Sequence, residues 1–361
     1  MAIKLLIVDD SALMRRQLTQ IFAADGGFEV RAARNGQEAI DENLAWQPDV
    51  VTLDINMPVM DGITALSHIM ATRPVPVVMV SSLTEKGAMA TFEALALGAV
   101  DYIAKPGGTI SLSIGEIERE LVAKVKAAAR AKLKARGVAG GRGLTEKLRE
   151  ERKAAAAKPA FVRRSPAAEE AEGLVLIGVS TGGPSTLEEI LPRLPADYPF
   201  PIVVAQHMPA SFTGPYAARM NSLCALEVVE ANKPMELLPG TIYIGKGGAD
   251  VVIANRAGKL MVLPKPENPN FLWHPSVEVL GRSALEHCEA SALIGVMLTG
   301  MGYDGADAFT EIKKQGGRTI AESEDSAVVF GMPKELIDRG GATLVLPAHK
   351  IATQLVSWAR T

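Results

Sequence analysis

The chain has 361 residues, 48% of them apolar, with a formal net charge of -3 at neutral pH. That length exceeds one ordinary core and points to two domains, while the near-neutral charge argues against a dedicated nucleic-acid binder with a basic surface. No apolar stretch reaches membrane-spanning length, the N-terminus opens on a strand-like run and not a signal segment, and the two cysteines, Cys224 and Cys288, suit a reducing compartment. A soluble cytoplasmic protein with no membrane insertion, and with both thiols buried and inert, is expected.

Ile3 to Val8 reads as a buried strand that runs into Asp9 and Asp10, and Ser11 is a ready N-cap for a helix over Ala12 to Ala24. Further strands read at Phe28 to Ala33, at Asp49 to Asp54, at Val75 to Val80 before Ser81-Ser82, and at Val100 to Ala104 before Lys105-Pro106. Helical spacing fills the gaps, so the pattern is alternating β and α with a parallel sheet, whose ligands belong at the carboxyl ends of the strands. There Asp9, Asp10, Asp54, Ser82 and Lys105 converge. Hard carboxylate oxygens suit Mg²⁺, Asp54 is the candidate phosphoryl acceptor, and Lys105 neutralises charge on the product. Any one acid alone reads equally as a solvated strand end; five such residues at matching strand ends do not.

Residues 1–125 resemble a response-regulator receiver domain, with the acid pair, the acceptor, the switch hydroxyl and the Lys-Pro in order. The resemblance implies a flavodoxin-like strand order 2-1-3-4-5, phosphorylation of Asp54 with Mg²⁺ held by Asp9, Asp10 and Asp54, and a histidine kinase as phosphodonor. It also implies that Ser82 moves toward the phosphoryl group and that Tyr102, at the aromatic switch position, turns inward.

From Lys124 to Arg164 there are 14 Lys or Arg against three Glu, with a glycine-rich stretch from Gly137 to Gly143. The last receiver helix is expected to persist through Ala135, and residues 126–170 read as a basic, flexible, self-repelling tether.

Residues 171–361 form the second expected domain. Leu174 to Val179 is a continuous apolar run that stops at Ser180 among Gly178, Gly182 and Gly183, the pattern of a buried strand entering a tight turn. Pro184 fits a first helical turn, so the backbone N–H groups after Ser180, Thr181 first, face the space where an oxyanion forms. Gly178-Val179-Ser180-Thr181-Gly182 satisfies the nucleophile-elbow spacing, and the same turn also suits a phosphate cradle or a plain tight turn. A short helix reads at Leu187 to Leu194, a strand at Phe200 to Gln206 ending in His207, and a helix from about Ser211 to Pro215 onward. Tyr243 to Gly248, Asp250 to Ala254 and Leu260 to Leu263 read as short strands of a smaller excursion. Trp273-His274-Pro275-Ser276 leads into a helix, and Ser291 to Leu298 is a buried strand followed by the turn containing Asp304.

A serine needs a base to act as a nucleophile near neutral pH, and an imidazole needs a carboxylate to fix its tautomer. Ser180, His207 and Asp304 supply all three from strand ends, whereas His68, His274, His287 and His349 read as ordinary surface or core histidines. The order serine, histidine, acid excludes the α/β-hydrolase family, in which the acid precedes the histidine.

That order, with Gly-Val-Ser-Thr-Gly-Gly-Pro, Gln-His-Met-Pro, Leu-Thr-Gly-Met-Gly-Tyr-Asp-Gly-Ala and Val-Phe-Gly-Met-Pro, is similar to the catalytic domain of the chemotaxis protein-glutamate methylesterases. The resemblance implies a Rossmann-like methylesterase domain with Ser180 as nucleophile, His207 as general base, Asp304 as orienting acid and the Met301 backbone as oxyanion donor. It implies phosphorylation-activated hydrolysis of glutamate γ-methyl esters on methylated chemoreceptors, with deamidation of receptor glutamines and no cofactor for ester hydrolysis. The chain departs from the usual pattern at two loops. Where Tyr-Ile-Ala-Pro-Gly-Gly followed by a histidine two on is usual, this chain has Gly245-Lys246-Gly247-Gly248 and Asp250, and His274-Pro275-Ser276-Val277-Glu278 replaces Arg-Pro-Ser-Val-Asp. Two other readings compete: a receiver-linked binding module with a nucleotide or protein in the Ser180 turn, and a DNA-binding output domain, the latter disfavoured by the lack of a basic recognition helix.

Overall fold

The computed structural model describes residues 2–82, 84–105, 114–131 and 172–360. The chain divides into two compact units, residues 1–148 and 149–361.

In the first unit the elements are β1 Ile3–Val8, α1 Ala12–Asp25, β2 Phe28–Ala33, α2 Gly36–Ala45, β3 Val50–Asp54, α3 Gly62–Thr72, β4 Val77–Ser81, α4 Glu85–Leu97, β5 Asp101–Ala104 and α5 Ile114–Ala129. They build a parallel sheet in the order β2-β1-β3-β4-β5. Strands β3 and β4 are buried along their whole length, as their mainly apolar sequences require when helices cover both faces. Each of the first four helices starts just beyond a strand end on a side-chain cap: Ser11, Asn35, Asp61 and Thr84 accept from the N–H groups of Met14, Glu38, Thr64 and Gly87. These caps bring the chain sharply round at the carboxyl edge, where the acids lie.

Helix α5 ends at Ala129 and not at the expected Ala135. The Arg130 and Ala131 N–H groups reach back only three residues, to Ala127 and Ala128, and the α ladder stops there. The tether expected over residues 126–170 lies outside the described residues from position 132 onward.

The second unit runs β6 Leu174–Val179, α6 Gly183–Ile190, β7 Ile202–Gln206, α7 Ala210–Leu223, β8 Glu227–Ala231, β9 Met235–Glu236, β10 Thr241–Gly245, β11 Asp250–Arg256 and β12 Lys259–Lys265. It continues through α8 Val277–His287, β13 Leu293–Met297, α9 Ala306–Lys314, β14 Arg318–Glu322, α10 Met332–Asp338, β15 Leu344–Leu346 and α11 Ala348–Trp358. Seven strands form a parallel sheet in the order β15-β14-β13-β6-β7-β10-β8. Strands β6, β7 and β13 are adjacent and wholly buried. After β6 the chain builds outward on one side through β7, then returns to β6's other flank with β13. Ligand crevices form where the strand order reverses in this way, at the carboxyl ends.

Several expectations are corrected. The helix expected from Leu187 begins at Gly183, because the Ser180 turn passes directly into it. Strand β10, assigned to the smaller excursion, is Thr241–Gly245 and joins the main sheet between β7 and β8. Strand β8 has no clear sequence signature: it is an edge strand carrying Glu227 and Glu230, which break its apolar pattern. The true excursion is the antiparallel sheet β11-β12-β9. Its Val251, Ile253 and Val262 join Val277, Leu280 and Ala284 of α8 in one buried cluster. Cys224 is buried as expected, whereas Cys288 is partly exposed, its thiol pushed up to about 11 by burial.

Candidate active site

In the first unit, Asp9, Asp10 and Asp54 can each offer a carboxylate oxygen within 4.8 Å of the others. Asp9 and Asp54 are buried. The Lys105 ammonium lies 3.0 Å from Asp9 Oδ2 and 2.9 Å from Asp54 Oδ2, and the other Asp54 oxygen accepts the Ile55 N–H at 2.8 Å. Burial pushes the Asp54 carboxyl above its ordinary value and the charge of Asp9 adds to this, against Lys105 and the Ile55 N–H. Lys105 itself is held up: its own burial works against the charge, but both carboxylates outweigh it. Two buried carboxylates that share one ammonium, with the third carboxylate of Asp10 at the rim, fit a hard divalent cation bound through few protein oxygens. Ser82 Oγ lies 3.3 Å from Thr84 Oγ1 at the end of β4, and Tyr102 is buried in β5 beneath the Lys124 ammonium, 5.3 Å from its ring centroid.

In the second unit, three adjacent strand ends converge. Val179 pairs with Gln206 in the β6–β7 register, and the His207 N–H donates to the Val179 carbonyl at 3.1 Å. Ser180 and His207 therefore occupy matching positions on neighbouring parallel strands, which are spaced ~4.8 Å apart. The Ser180 N–H donates to the Thr299 carbonyl at 3.0 Å, which ties the nucleophile candidate to the loop after β13. Gly182 takes φ of 77°, and a Cβ there would lie 2.5 Å from Val328 Cβ, so only glycine fits this turn. At Gly300 a Cβ would lie 2.8 Å from Ser180 Cβ; the absence of a side chain lets the Thr299 to Asp304 loop close onto the serine.

His207 Nε2 lies 2.8 Å from Asp304 Oδ2, and its Nδ1 is buried with no partner among the described residues. Asp304 also accepts from Ser276 Oγ at 2.9 Å, the Val277 N–H at 2.7 Å and the Glu278 N–H at 3.1 Å, at the positive end of α8. Burial opposes its ionisation, but the His207 hydrogen bond and charge, with the two helix N–H groups, outweigh it and hold its carboxyl below the ordinary range. The Trp273 ring stacks on the imidazole, centroids 5.8 Å apart and planes 8° apart. Among the described residues, the backbone N–H groups of Thr181 and Met301 carry no hydrogen bond.

Several contributors were not singled out from sequence. Gln206 Nε2 donates to the Ser180 carbonyl at 3.0 Å and to the His207 carbonyl at 3.1 Å, clamping the two strand ends together. Thr299 Oγ1 donates to the Thr181 carbonyl at 2.9 Å, and its N–H donates to buried Glu322 at 2.8 Å. Trp273 and Ser276 reach the site from the loop before α8. The only local signal was Ser276, a serine three residues before Val279 at a helix start, and it does cap α8. His274 forms no hydrogen bond or ion pair with His207 or Asp304; its Nδ1 lies 2.8 Å from Asp250 Oδ1.

Fold and site together define a response regulator whose second unit is a serine-type hydrolase built on a parallel, helix-covered sheet. Residues 175–355 match the family model described as CheB methylesterase, and residues 5–113 match that of the response regulator receiver domain. The chain is 58% identical over 98% of its length to the protein-glutamate methylesterase/protein-glutamine glutaminase 3 of Rhodospirillum rubrum, covering 96% of that protein. It is 51% identical over 99% of its length to protein-glutamate methylesterase/protein-glutamine glutaminase 2 of Rhodopseudomonas palustris, covering 98% of it. The crystal structure of the Thermotoga maritima CheB methylesterase catalytic domain is similar with a TM-score of 0.50 and 41% identity, over 52% of this chain and 98% of that one. The chain belongs to the CheB methylesterase family.

Proposed function

We propose that this protein is a phosphorylation-activated protein-glutamate methylesterase that hydrolyses γ-methyl esters on chemoreceptors in the cytoplasm and deamidates receptor glutamines. The observation that carries the reading is the register-matched pair Ser180 and His207, with Asp304 on one imidazole nitrogen and the other nitrogen buried and open.

Asp304 accepts the hydrogen bond from Nε2–H and fixes the tautomer, which leaves Nδ1 to take the Ser180 hydroxyl proton as Oγ attacks the ester carbonyl. The two nitrogens thus exchange the roles they have in chymotrypsin-like triads. The N–H groups of Thr181 and Met301 donate to the tetrahedral oxyanion. Collapse breaks the C–O bond to the methoxy group, and His207 returns its proton so that methanol leaves. Water, deprotonated by the same nitrogen, then hydrolyses the acyl-serine to glutamate and restores the hydroxyl. With a glutamine substrate the leaving group is ammonia. Ester hydrolysis on this route uses no cofactor.

Control resides in residues 1–125, joined by residues 126–170 to a catalytic domain at 171–361. A histidine kinase of the chemotaxis system supplies the phosphoryl group to Asp54. Asp9, Asp10 and Asp54 would hold Mg²⁺, which neutralises the charge of the incoming phosphoryl group. Lys105 pairs with the product, and Ser82 and Tyr102 carry the switch. No helix of the described residues is long and apolar enough to cross a membrane. Mass spectrometry of methylated receptor peptides tests the reading: the protein should demethylate glutamyl esters and convert receptor glutamine to glutamate, and faster after treatment with acetyl phosphate and Mg²⁺.

A further inference from the structure

The loop from 266 to 276, between β12 and α8, has no helix or strand of its own, so no backbone ladder sets its shape. Yet it carries two contacts to the candidate triad: Trp273 against the His207 ring and Ser276 Oγ on Asp304. The group that holds this loop is Asp250, the first residue of β11, only 1% exposed. Its Oδ2 accepts the Asn268 N–H at 2.8 Å, and its Oδ1 accepts both His274 Nδ1 at 2.8 Å and the Ser276 N–H at 2.9 Å. All three donors lie on the loop, near its two ends. Asp250 and His274, which stand in the two loops at which the chain departs from the family's usual pattern, are thus each other's partners.

We propose that Asp250 is a positioning residue: by gathering Asn268, His274 and Ser276 it fixes the loop that seats Trp273 on the imidazole and Ser276 Oγ on the Asp304 carboxylate, and so orients the His207–Asp304 pair. A buried carboxylate with three donors is a rigid anchor, because losing any one contact leaves a polar group unsatisfied away from water. The effect reaches the reacting atoms only through other residues, so it falls on the chemical step and not on ester binding. Small misplacements of a catalytic group are costly; a shift of ~1 Å can lower a rate 10²-fold. The kinetic part of the proposal rests on the esterase reading.

The test compares full-length Asp250→Ala and Asp250→Asn with the parent chain in two measurements. The first is methanol release from methylated receptor, resolved into kcat and KM. The second is the low-field imidazole N–H proton resonance of His207, identified by its loss in His207→Gln and told apart from that of His274 by His274→Gln. Asp250→Ala should lower kcat by about ten- to a hundredfold, leave KM within about twofold, and shift or broaden the His207 resonance. Asp250→Asn, which keeps an acceptor for Ser276, should fall between it and the parent. A folded variant with the parent's kcat and His207 resonance, or a loss confined to KM, overturns the proposal. So does unfolding of both variants, since Asp250 would then hold the fold and not the site. If the parent chain releases no methanol, the esterase reading fails by itself, and the resonance still decides whether Asp250 orients His207.

Discussion

Asp304 and Glu278 cap each other's helices. Asp304, just ahead of α9, accepts the Val277 and Glu278 N–H groups that open α8, while Glu278 of α8 accepts the Ala308 N–H in the first turn of α9 at 2.9 Å. The exchange locks two helix starts together around the carboxylate assigned to orient His207, and each carboxylate offsets the other helix's positive end.

The two acids respond oppositely to pH. Burial pushes the Glu278 carboxyl above its ordinary 4.5, against the Ala308 N–H and Arg282. The folded state then binds a proton more readily than the unfolded chain, so ionised Glu278 reduces stability and the loss is relieved as pH falls from its raised value toward 4.5. Glu278→Gln keeps an oxygen for Ala308 and removes the charge. We expect it to leave neutral stability equal or higher and to flatten the weakly acidic part of the stability curve, read by calorimetry of the second unit's transition against pH.

Asp304 is the reverse case, with its carboxyl held below the ordinary 3.8. Its contribution is present above that value and is lost as pH falls through the lowered one. Asp304→Asn should lower kcat about 10⁴-fold by admitting the wrong imidazole tautomer, and should cost about 1–3 kcal/mol by placing a buried amide against the α8 N–H groups. Methanol release and calorimetry read the two effects separately.

His274 offers a third pH signature. Burial works against its charge, but the Asp250 hydrogen bond and charge, with Glu267 and the Phe271 carbonyl, hold its pKa above the ordinary 6.5. The pair's added stability should be fully present below 6.5 and fade as pH rises through the raised value. His274→Gln, able to hydrogen-bond Asp250 without charge, should abolish that slope, again by calorimetry.

What could be read from the chain follows from how local each signal is. Strands β1, β3, β4, β6, β7 and β13 are mainly buried and mainly apolar, and they end in polar or glycine-rich turns, so their ends, and the residues placed there, are visible in a single stretch of sequence. Edge strand β8 carries its own charges, and the place of β10 in the main sheet depends on pairing with strands about 40 residues earlier and 14 earlier, which no local pattern encodes. The supports of the candidate site were hidden for the same reason. Asp250 meets Ser276 across 26 positions, and Asp304 meets Val277 across 27, each through a backbone N–H that looks like any other in sequence.

In the first unit, Asp54→Asn should abolish acid-labile labelling by acetyl phosphate with Mg²⁺, because an amide forms no acyl phosphate, yet leave basal hydrolysis intact. Phosphorylation of the parent chain should raise methanol release by about five- to a hundredfold, the range of ordinary coupling between sites. Chelation of Mg²⁺ should remove labelling and stimulation while leaving the basal rate unchanged. Persistent label on the variant would place the acceptor elsewhere.

The most direct test of the Ser180–His207 assignment is methanol release from methylated chemoreceptors by the parent chain, Ser180→Ala, His207→Ala and the double variant. Losses of about 10⁴-fold or more are expected in each single variant, with little further loss in the double one because the pair acts as a unit, and with unchanged phosphorylation of Asp54 in all. Release by folded Ser180→Ala at a rate near that of the parent would contradict the assignment.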